Sequence, residues 1–115
     1  MPRYITIGYG DESGYATTEE SLRNRAHEHD AWLASRGAVI GMAGEPVQVR
    51  NTNEAGIRTT LGPYLRSDLP VAGFSLVEAD SLETAIEMVS KTPCAVAQGV
   101  VEVWPLVEAL KSPAR

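Results

Sequence analysis

Apolar and polar positions alternate from the beginning of the chain. Arg3-Tyr4-Ile5-Thr6-Ile7-Gly8-Tyr9 puts Ile5, Ile7 and Tyr9 on one side of an extended segment and Tyr4, Thr6 and Gly8 on the other, a period of two that predicts a strand. Gly10-Asp11-Glu12-Ser13-Gly14 reads as a loop, because Gly and Asp favour turns. The period then changes. Thr17 and Glu20 have the spacing of a capping box, and Leu22, Ala26, His29 and Leu33 recur at helical spacing on one stripe. This predicts a helix to about Arg36, stopped by Gly37. Arg25 and Trp32 flank the stripe on one side and Asp30 on the other, while His27 points nearly the opposite way.

Ala38 to Met42 is the next predicted strand. Val47–Arg50 and Ile57–Thr60 predict a hairpin around Asn51 to Gly56. Leu61 to Pro70 has two prolines and no period, which predicts an ordered loop of a length at which loops often carry function. Val71 to Glu78 is a third main strand, and Asp80 with Glu83 repeats the capping-box spacing. Leu82, Ala85, Ile86 and Val89 then form an apolar helical face, ended by Pro93, and Gly99 to Trp104 alternates as a last strand. Residues 1–108 form one domain in this reading, and 109–115 a C-terminal tail. Two helices among four main strands predict an α+β, ferredoxin-like sheet with both helices on one face. The other face would carry Tyr4 and Thr6 and is too apolar to leave wet, which points to a homodimer through that open face.

Composition narrows the class. The chain has 115 residues, a formal net charge of −5 and one cysteine, so a disulfide framework and a multi-cysteine zinc site are excluded. An acidic balance argues against nucleic acid as a partner. The longest apolar stretch, Gly37 to Gly44, is far too short for a membrane span. The opening Met-Pro-Arg-Tyr runs straight into strand pattern, so no signal peptide is expected and the cytoplasm is the expected location.

Several segments in order resemble the YCII-related superfamily, specifically its DGPF-type branch. They are Tyr4 through Glu12, His29-Asp30-Ala31-Trp32, Leu61-Gly62-Pro63-Tyr64 in the DGPF position, Ala72 to Leu76, Asp80 to Ala85, and Lys91-Thr92-Pro93 on to Leu106. The resemblance covers nearly the whole chain. It implies a dimeric α/β barrel made by two ferredoxin-like sheets facing each other, with pockets between each sheet and its helices. For some members it implies a histidine on the first helix working with an aspartate before the proline that follows the second helix. His29 matches that histidine by its H-x-x-aromatic context, with His27 as the alternative. Thr92 stands in the aspartate position and Leu61 in that of the DGPF aspartate. The resemblance also implies association with transcription-related partners such as alternative sigma factors.

His29 is the candidate general acid/base, because an imidazole titrates near neutral pH. The competing reading is a core histidine bonded to a main-chain carbonyl or across a dimer contact. Asp11, Glu12 or Asp68 could orient it through the fold, whereas its neighbour Asp30 does not face it along a helix. Gly62 and Tyr64 could close over a pocket mouth, Arg58 or Arg66 could meet an anionic group, and Tyr4 and Thr6 complete the candidate ligand-binding set. His27-Glu28-His29 diverges around a helix and chelates poorly, so no metal and no cofactor are expected. Cys94 lies among small residues and reads as packed rather than reactive. Two functions follow: an enzyme-like dimer in which His29 exchanges a proton with a small molecule, or a non-catalytic ligand-binding or protein-interaction module.

Overall fold

A computed structural model describes residues 1–107; the expected tail at 109–115 lies outside them. Six strands are formed: β1 (Arg3–Tyr9), β2 (Val39–Met42), β3 (Val47–Arg50), β4 (Arg58–Leu61), β5 (Val71–Glu78) and β6 (Val100–Pro105). Four helices accompany them: α1 (Glu12–Thr17), α2 (Glu20–Ser35), α3 (Leu82–Val89) and α4 (Pro93–Val96). The main sheet is antiparallel throughout, in the order β2-β5-β1-β6, and β3 and β4 form a separate hairpin. The fold is α+β.

The helices depart from the expected pair in three places. Gly10 to Gly14 is not all loop: Asp11 caps α1 by accepting a hydrogen bond from Gly14 N at 2.8 Å. Thr17 closes that short helix instead of opening the long one, and its hydroxyl donates back to Gly14 O at 3.1 Å. The extended backbone at Thr18 separates the two helices. In the second half Ser81, not Asp80, caps α3, its Oγ accepting from Thr84 N at 3.2 Å. Pro93 ends nothing. It occupies the first turn of α4, where its missing N–H costs no hydrogen bond.

The register assigns the sheet faces and reverses one expectation. Tyr4 pairs with Val77 and Thr6 with Ser75. All these side chains lie under the helices, where Tyr4, Thr6 and Val77 are buried. Tyr4 joins Val77, Ala79 and Ala85 in the core, with Met88 and Val103 packed against it. The open face is therefore the other set. Ile5 lies opposite Leu76 and Trp104, and Ile7 opposite Phe74 and Glu102. Phe74 is 49% exposed there and Trp104 56%. The sequence alternation was clear, but it could not say which of two mixed faces the helices would cover.

Candidate functional site

A concavity of about 750 Å³ lies between the sheet and the helices, within the size range of small-molecule sites. Its floor is made by what β1 and β5 leave out. Gly8 pairs with Gly73 across the two central strands, and glycines inside strands remove the side chains that would fill the space above them. A Cβ on Gly8 would stand 2.8 Å from Cys94 Sγ, so α4 settles closely onto the sheet at one end of the floor. Next to the glycines, the Thr6 and Ser75 hydroxyls bond each other.

One wall is the flank of α2. Ala26 and Leu33 are buried at the centre of its inner face, and Asp30 lies beside them, half-buried and lining the cavity. Burial raises the Asp30 carboxyl above the ordinary aspartate range, with His27 and His29 partly offsetting the effect. Among the described residues the carboxylate has no hydrogen-bond partner. His27, one turn earlier, lines the cavity at its exposed rim. Its Nε2 shares a hydrogen bond with the Tyr15 hydroxyl at 2.8 Å, and the Tyr15 ring carries the Arg23 guanidinium 4.9 Å from its centre. Asp11 and Glu12 also line the cavity, whereas no lysine or arginine among the described residues does. Burial, and then the negative charge of Asp30, raise the Cys94 thiol. The thiol form is thereby favoured over the nucleophilic thiolate.

The candidates taken from sequence are dispersed. His29 is outside the cavity lining. Its Nε2–H donates to Met88 O at 2.6 Å, and its ring stacks on Trp32 with centroids 5.7 Å apart. A carbonyl only accepts, so the bond fixes the proton on Nε2. Thr6 reaches the cavity floor and Tyr4 belongs to the core. Gly62, Tyr64 and Arg58 are remote from the cavity. Gly62 has a φ of +99° and its N–H donates to Pro46 O at 3.0 Å, closing the base of the β3–β4 hairpin. Tyr64 lies under Arg50 at 5.8 Å. Thr92 does line the cavity, but its hydroxyl donates to Val89 O at 2.6 Å and supplies no acid.

Sequence reasoning kept His27 only as the alternative to His29, weighed Asp30 only as a partner for it, and passed over Tyr15. The available signal was the spacing Arg23, Ala26, Asp30, Leu33, which puts an acid on the buried side of α2. Among the described residues no cluster of three His, Cys, Asp or Glu side chains could hold a metal ion, and no helix is long and apolar enough to cross a membrane. The arrangement can hold an apolar molecule and present it with one carboxyl of raised proton affinity, with the His27 imidazole at the rim. No protein-family model matches the chain, and no curated protein matches it.

Proposed function

We propose that this chain is a small-molecule-binding domain of the YCII-related, DGPF-type kind. Its strand order β2-β5-β1-β6 supports a ferredoxin-like sheet, and the apolar open face supports pairing of two copies into a dimeric α/β barrel. The ligand is largely apolar and carries a hydrogen-bond donor or a protonated amine. The observation behind this reading is Asp30, a half-buried carboxylate in a cavity whose charged lining is otherwise Asp11 and Glu12. A cation or donor beside Asp30 would offset its desolvation, whereas an anion there would meet like charge.

Binding is the first conclusion, with proton exchange as a second reading. The raised proton affinity of Asp30 favours the second, since a carboxyl moved toward neutrality suits acid–base work. His29 is instead assigned to holding α2 against Met88. The test uses benzylamine, benzyl alcohol and benzoate as probes in ligand-observed NMR. Benzylamine is expected to bind the wild type and to lose at least about tenfold in affinity, roughly 1.4 kcal/mol, in Asp30→Asn. Equal binding by Asp30→Asn, or preference for benzoate, overturns the reading.

A further inference from the structure

The β3–β4 hairpin and the turn after it form an arm, residues 46–66, that pairs only with itself. Its strands make no extensive contact with the sheet or the helices, and the molecule is 52 Å long but only 20 Å thick. The arm has two unlike faces. Val47 pairs with Leu61 and Val49 with Thr59 on one side; Gln48 pairs with Thr60 and Arg50 with Arg58 on the other. Val49 is 67% exposed and Leu61 84%. An uncovered two-stranded hairpin is at best marginally stable in water, and two arginines directly opposite each other oppose its closure.

We infer that this arm docks on a second copy of the chain, its apolar face on apolar surface and its Arg50–Arg58 pair against carboxylates of the partner body. Charge singles out this occupant. The arm holds Arg50, Arg58 and Arg66 against the lone Glu54, whereas the chain as a whole is at −5. The body beyond the arm therefore carries all the excess negative charge, and a positive arm on one copy meets a negative body on another. The arm exposes Val47, Val49, Ile57 and Leu61, and the open sheet face exposes Ile5, Phe74 and Trp104. The inference rests on the pairing of two copies proposed above and adds a second contact to it.

The test compares the wild type with two arm variants, Val49→Asp/Leu61→Asp and Arg50→Glu/Arg58→Glu, and with Phe74→Asp on the open sheet face. The strands of the arm make no extensive contact with the body, so both arm variants should keep the wild-type thermal transition at high dilution. In sedimentation at about 50 μM the wild type is expected to be a dimer, with each arm variant weakened at least tenfold. Added salt should weaken the wild type more than Arg50→Glu/Arg58→Glu. Wild-type affinity in both arm variants alongside dissociation by Phe74→Asp overturns the arm contact and leaves sheet-face pairing intact. A monomeric wild type overturns both, including where the arm is found to bind a different protein or a nucleic acid.

Discussion

His29 and Asp30 are adjacent in sequence and differ completely in surroundings. The histidine side chain bonds a main-chain carbonyl at the end of α3, and the aspartate has no hydrogen-bond partner among the described residues and lies beside empty volume. The reason is angular: successive helical residues turn by about 100°, so one faces Met88 and the other the cavity. An apolar stripe with a histidine in it was legible in the sequence, but its partner was not, because the Met88 carbonyl is 59 positions away. Asp30 has a consequence for stability. Its carboxyl binds a proton more tightly in the folded chain than in the unfolded one, so its contribution falls as pH rises above the ordinary aspartate range. Asp30→Asn should remove that loss. Thermal melts at pH 4 and pH 7 should show the variant gaining on the wild type at the higher pH, and a constant difference would count against it.

At the scale of elements, the strands were the most legible part of the chain. β1 and β5 fall where alternation placed them, because a period of two survives any packing partner. Helix ends were less legible. Both Thr17–Glu20 and Asp80–Glu83 have capping spacing, yet α2 opens on Glu19 with no side-chain cap and α3 is capped by Ser81. Spacing shows where a cap could form, and the chain's path decides which hydroxyl or carboxylate meets a free N–H. The glycines of the sheet separate in the same manner. A Cβ at Gly73 would lie 2.6 Å from Gly41 O, whereas one at Gly41 would meet nothing within 4 Å. Gly73→Ala is therefore expected to cost about 1–3 kcal/mol by forcing backbone apart, and Gly41→Ala to change stability by less than about 1 kcal/mol. Urea denaturation of the pair reads the contrast, and equal effects would contradict this account of the sheet floor.

The whole molecule is asymmetric, with helices on one face of the sheet and exposed Ile5, Phe74 and Trp104 on the other. Glu102 sits within that apolar set, accepting hydrogen bonds from the Tyr9 hydroxyl at 2.6 Å and Trp104 Nε1 at 3.3 Å. This bonded carboxylate raises the Tyr9 phenol above its usual range, with burial adding to the effect. A face so arranged keeps Glu102 satisfied when water is removed. Phe74→Asp adds an acid with no such partner. The melting temperature of the wild type should rise with protein concentration, as mass action requires of a dimer, and that of Phe74→Asp should not. Concentration dependence in both would place the dimer contact elsewhere.

Cys94 lies in the wall of the cavity as the chain's single thiol, facing Gly8 and within the field of Asp30. The protein thus contains its own gauge of occupancy. A small alkylating reagent has one thiol to find, in the lining of the cavity. The speed of that reaction measures how much of the cavity is empty at any moment, with no label, engineered probe or assay of turnover.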